Sequence, residues 1–200
     1  KISMQDLLSK VDSSLLVLFV SKYLCLFGAQ LNNTSLQLFL KNEYHLGIKE
    51  CAIMLTVFGV VCTISSLIAT KLVLHVDHDL ILRYFPLFMA LSCFMKLLMN
   101  QNIYFSFVCF VFSVIFDCIC GTMYFPVFDS AILSKIPKEY VGRIMALMSS
   151  VGLLIGILSP ILVITILYNM DRKLPYTVGF LCSCLSTLVH MSQKQSDIQK

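Results

Sequence analysis

Between Glu50 and Lys71 the chain carries twenty consecutive residues without a charge. A helix needs about 20 apolar residues to cross the hydrocarbon core of a bilayer, so this run alone asks for a membrane. Comparable runs follow along the chain. Leu15 to Leu40 is interrupted only by Lys22, Leu80 to Leu98 carries Arg83 and Lys96 near its ends, where they can snorkel, and Ile103 to Phe128 holds the single acid Asp117. Ile144 to Met170 has no charge, and Leu174 to Met191 is the shortest. With 58% hydrophobic and only 13% charged residues in 200, the chain departs from soluble domains, which run about 45–50% apolar and about 25% charged. The length accommodates about six spans and no separate soluble domain. No run alternates in the manner of a membrane barrel strand. The expected fold is therefore an all-α membrane protein, a six-helix bundle over residues 14–191, with polar ends at 1–13 and 192–200. The lipid bilayer is its solvent, and no basic cluster offers a nucleic-acid surface.

Six spans put both termini on one side. That side carries Lys1, Lys10, Lys71, Arg83, Lys135, Lys138, Arg143, Lys194 and Lys200, against Lys41, Lys49, Arg172 and Lys173 opposite. Basic residues favour the cytoplasmic face, so both termini are expected in the cytoplasm of a multi-pass protein, with the plasma membrane as the expected site.

The nine cysteines lie mostly inside apolar runs, where thiols behave as small hydrophobes, and they suggest no disulfide framework. His75 and His78 share a charged loop and read as a solvated pair rather than a metal site. No metal or cofactor is expected, and no nucleophile elbow, zinc-protease pair or phosphate-binding glycine loop is present. Two acids, Asp117 and Asp129, raise the idea of an intramembrane enzyme. Twelve residues of helix would separate them by about 18 Å, too far to share a proton. The chain reads as a non-enzyme.

Charged side chains in hydrocarbon cost at least about 2.5–3.5 kcal/mol, so they face a cavity or a partner. Lys22, Gln30, Asn33 and Gln37 follow at intervals of 8, 3 and 4 and share one helical face. The stripe either lines water and substrate or forms a hydrogen-bonded seam, with simple snorkelling to the cytoplasmic boundary as a further reading for Lys22. On the fourth span Ser113, Asp117, Gly121 and Tyr124 share a face. Asp117 can pair with Lys22, take up a proton, or bond to a neighbouring helix.

The stretch Pro137-Lys-Glu139-Tyr-Val-Gly142-Arg143 stops one helix at its proline and begins the next with an acid at the positive dipole end. Gly152, Gly156 and Pro160 then recur every four residues, a small-residue face suited to close helix packing. This loop and helix, with Phe125 to Lys135, Leu167-Tyr-Asn169 and Leu174 to Gly179, resemble the connection between the tenth and eleventh helices of major facilitator transporters. The nearest likeness is to the proton-coupled folate transporter and thymic stromal cotransporter branch, the solute carrier 46 type.

The resemblance implies that the six spans are the C-terminal half of a twelve-helix transporter whose N-terminal six-helix half precedes them. It implies secondary active transport of a small organic solute by alternating access, with proton symport as the candidate coupling. Gln30, Asn33, Gln37 and Tyr124 become the expected substrate contacts, and Lys22 with Asp117 the expected charge pair. Two departures stand out. The loop from Leu72 to Arg83 lacks the glycines of the superfamily's gating motif, and Asp129 and Ser130 stand where folate-transporting relatives resemble one another in a basic residue. Folate is therefore a doubtful substrate. The alternative is a non-transporting scaffold or a degenerate half-transporter.

Overall fold

The apolar runs form helices because hydrocarbon offers no partner for a free backbone N–H or C=O, and a helix satisfies both within one segment. A computed structural model describes residues 13–43, 45, 47–72, 75–99 and 102–198. The expectations placed on Lys1, Lys10, Lys200 and the 1–12 segment lie outside the described residues. Helix α1 spans Ser13–Glu43, α2 Ile48–Leu72 and α3 His78–Leu98. The fourth span is composite: α4 (Ile103–Ile119), a π-helical turn (Cys120–Tyr124) and α5 (Phe125–Ser134). The fifth begins with a 3-10 turn at Lys138–Tyr140 and continues through α6 (Val141–Leu162), a second π turn (Val163–Leu167) and the short α7 (Tyr168–Met170). Helix α8 covers Leu174–Ile198. Six of these stretches are long and apolar enough to cross a membrane, and no strand occurs among the described residues.

The boundaries have local causes. Asn102 caps α4, its side chain accepting from Phe105 N at 3.2 Å. The first π turn stands just before a proline. Pro126 lacks an N–H and its ring crowds the carbonyl four residues back, so the helix widens just before it. The second π turn, Val163–Leu167, lies C-terminal to Pro160, so the proline's missing N–H does not account for it. Two boundaries differ from the apolar runs. Helix α6 starts at Val141, taking in Gly142 and Arg143, because Tyr140 (8% exposed) and Ile144 (3%) anchor this segment under the core. Helix α8 continues past Met191 to Ile198, since nothing in Ser192 to Ile198 breaks a helix.

Helix α1 packs most extensively on α8, and also on α6; α8 packs on α3, α3 on α4, and α4 on α2. The core of the bundle thus follows α1, α8, α3 and the fourth span, with α2 and α6 outside it. Along α1, Ser21, Cys25, Gly28, Asn32 and Ser35 are all buried, and on α8 so are Tyr176, Gly179, Ser183 and Ser186. Spacings of three and four bring these two rows of mostly small residues face to face, so that the backbones approach closely. A Cβ on Gly28 would lie 2.9 Å from the Gly179 carbonyl oxygen, and one on Gly179 would lie 3.1 Å from that of Gly28. Ser21 and Ser186 bridge the same interface, Ser186 Oγ donating to Ser21 O at 2.8 Å and Ser21 Oγ donating to Ser186 O at 3.1 Å.

The close approach is therefore not where Gly152, Gly156 and Pro160 place it. Gly152 meets only the Leu26 Cδ2 atom, 3.9 Å from where a Cβ would sit, and nothing lies within 4 Å of such an atom on Gly156. Their face of α6 is turned away from the tightest seam.

Substitution tests this assignment. Gly28→Val overpacks the seam by about 1–3 kcal/mol, lowering the thermal midpoint of the detergent-solubilised protein by several degrees, while Gly156→Ala leaves it unchanged. Equal midpoints for the two variants would place the close contact elsewhere.

Candidate functional site

Lys22 and Lys96 each form an ion pair within the spans, and these partition the charges differently from the expected Lys22 and Asp117 pair. Lys96, from α3, is fully buried and its Nζ donates to Asp117 Oδ2 at 2.7 Å. Lys22, from α1, bonds instead to Asp129 on α5. Lys22 and Asp117 each have another partner, so the expected pair does not form. Lys96 is likewise not a snorkelling residue at a helix end; it turns inward because an acid on the adjacent helix compensates its charge.

Around Asp117 the polar contacts continue. Asn32 Nδ2 donates to Asp117 Oδ1 at 3.3 Å and Oδ2 at 3.4 Å, and to Ser92 Oγ at 3.4 Å. Asn32, Ser92 and Lys96 are fully buried, so α1, α3 and α4 meet at one enclosed polar node. The Asn32 Oδ1 atom has no partner there. Asn32 is the residue that the stripe on α1 conceals, because it lies on the neighbouring, small-residue face, and Lys96 on α3 reads as a span-end charge until α4 is placed beside it. Asn32 does continue the Cys25 and Gly28 row, which is the signal that marks it as buried.

The second pair is more open. The Asp129 side chain is about half exposed at 45%, whereas Lys22 is buried and also lies 5.5 Å from the centroid of the Tyr23 ring. Tyr23 donates to Met148 O on α6 at 3.0 Å, so the same turn of α1 is tied to two neighbours.

At the far end of α1 the stripe does line space. A cavity of about 560 Å³ opens between α1, α2 and α4, and its wall includes Asn33, Gln37 and Lys41 from α1, Leu55 and Phe58 from α2, and Phe110 from α4. Apolar surface dominates, with the two amides and the ammonium on one side. Gln30 is half-buried and outside this lining. Tyr124 is fully buried among Phe125 and Phe128 and is not part of this cavity's lining.

The loop residues Pro137, Glu139, Gly142 and Arg143 are exposed and are not part of the cavity lining. The Pro137 carbonyl accepts from Tyr140 N at 2.9 Å, so the proline sets a tight turn. Opposite, Tyr168 holds the end of α1, its hydroxyl donating to Leu38 O at 3.5 Å and accepting from Asn42 Nδ2 at 3.3 Å. Lys173 Nζ donates to Leu97 O at 2.7 Å and so caps α3. No group of three or more metal-ligating side chains is found among the described residues.

The node predicts an asymmetry. Lys96→Met strands a buried acid and destabilises the fold by about 3–5 kcal/mol, whereas Lys96→Met combined with Asp117→Leu regains most of that loss. Denaturant titration of the two variants in detergent measures it, and equal losses would contradict the buried pair.

The chain was compared with known families, curated proteins and solved structures. The family model of the Major Facilitator Superfamily matches residues 3–160. No curated protein and no solved structure matches. Spans, intramembrane ion pairs and this match agree, and the chain belongs to the Major Facilitator Superfamily as an integral, multi-pass protein of a superfamily concerned with membrane transport.

Proposed function

We propose that this chain is the C-terminal half of a proton-coupled secondary transporter of the solute carrier 46-like branch, moving a small organic solute by alternating access against an N-terminal six-helix half. The observation that carries the reading is the cavity beside α1, where Asn33 and Gln37 offer amide donors and acceptors over apolar walls. Such a lining suits a mostly apolar solute with a few hydrogen-bonding groups. Gln30 joins them when the helices rock, and the basic-residue bias places both termini in the cytoplasm.

Asp117 is the coupling acid in this reading, with Lys96 as its partner in the place first expected of Lys22. Protonating Asp117 removes the charge that compensates buried Lys96. The ammonium then favours a conformation in which it reaches water or another acceptor, and the helices move to supply one. Lys22 with Asp129 forms a second latch between α1 and α5, broken and remade as the cavity opens.

The test uses the whole protein in proteoliposomes, screened for uptake of small organic solutes under an imposed proton gradient. Gln37→Leu and Asn33→Leu each lower uptake about tenfold or more, the cost of leaving a solute's polar group unpaired. Asp117→Asn flattens the dependence of uptake on pH between about pH 5 and pH 8. Unchanged pH dependence in that variant would remove Asp117 from coupling, and unchanged uptake in both amide variants would move the solute elsewhere.

A further inference from the structure

We infer that Cys62 and Cys118 form a redox modification site, a vicinal thiol pair that closes to a disulfide between α2 and α4. Their sulfur atoms lie 2.8 Å apart, well inside van der Waals contact for two thiols, although they are 56 residues apart in sequence. Both are free cysteines. Cys118 is 2% exposed, whereas Cys62 is only partly buried, at the outer edge of the cluster built on Phe110, Val114 and Cys118. One thiol is thus reachable from outside and the other waits behind it.

Reach distinguishes this pair from the fully enclosed thiols. Cys25 and Cys120 also lie side by side, yet both are fully buried inside the bundle. Cys93 is fully buried and Cys109 nearly so. Cys182 and Cys184 are partly buried as Cys62 is, and what sets Cys62 apart from them is its sulfur contact with Cys118 at 2.8 Å.

The chemistry balances with such a peroxide as oxidant. The Cys62 sulfur attacks one peroxide oxygen, the O–O bond breaks, and a sulfenic acid forms as the first water leaves. The Cys118 sulfur then attacks the sulfenic sulfur, the S–S bond forms, and the hydroxyl leaves with the thiol proton as the second water. Two thiols are oxidised to one disulfide and hydrogen peroxide is reduced to two waters. A dithiol reductant reverses the change by exchange.

The bond acts on the one helix least held by the bundle. None of the most apolar window of α2 is buried, and its main packing partner is α4. Phe58, one turn before Cys62, and Phe110, two turns before Cys118, both line the cavity. A covalent tie at Cys62 fixes the separation of those two walls. The site is therefore a clamp on the cavity, set by oxidation, and it stands whether or not the proposed solute is correct.

Peptide mapping of the whole detergent-solubilised protein after brief hydrogen peroxide treatment tests it. The expected result is a Cys62 to Cys118 linked peptide lighter by about 2 Da than its two components, lost on dithiothreitol treatment and absent from Cys62→Ala. Hydrogen exchange over Ile48–Leu72 then slows several-fold in the oxidised protein and recovers on reduction. Independent overoxidation of the two thiols, a linked Cys25 to Cys120 peptide in place of this one, or no linkage overturns the site. A linkage that leaves α2 exchange unchanged overturns the clamp.

Discussion

Helix α1 is held against α8 by contact that lipid cannot imitate. Lipid tails are as apolar as leucine, so apolar area does little to favour one helix face over another within a bilayer. What decides is how near two backbones can come and which polar groups they satisfy. Gly28 and Gly179 permit the approach, and Ser21 and Ser186 exchange hydrogen bonds across it. With this seam in place, α8 carries α3 and α1 carries α6, so the remaining helices are positioned relative to it.

The same seam decides where charge can live. Asn32, in the small-residue row of α1, faces inward and meets Asp117 and Ser92. Lys22, Asn33 and Gln37 occupy a neighbouring face and meet Asp129 or open space instead. One helix thus presents an enclosed polar node toward α3 and α4 and a wetter edge toward α2. Separating the two lets a charge pair remain dry while the cavity at the other end of the helix stays accessible.

Much of the architecture was legible without coordinates. Spans were readable because hydrophobic length is a one-dimensional property, and the runs ending at Lys71 and Leu98 coincide with helix ends within a residue or two. The polarity of Asn33 and Gln37 was readable, but a lining and a hydrogen-bonded seam satisfy it equally, and only the position of α2 puts both in a cavity wall. Partners were not readable. Lys96 looks like a terminal snorkelling residue until the position of α4 is known, and the Gly152 and Gly156 spacing indicates that a helix can be approached without saying whether one arrives. Small residues at irregular three-and-four spacing on α1 carried that information, but less conspicuously than a repeat of glycines.

The π turn at Cys120–Tyr124 explains the most consequential of these misreadings. On an uninterrupted helix Asp129 points about 120° away from Asp117. One π turn absorbs in effect a single extra residue, and the two acids return to within about 20° of a common face. Both then look toward α1, Asp117 onto Asn32 and Asp129 onto Lys22, one above the other. The turn works as a phase setting for everything downstream of it: its length, rather than any side chain it carries, determines which charge on α1 an acid on α5 can reach. A change of one residue there would re-index a whole half-helix while touching neither member of the pair.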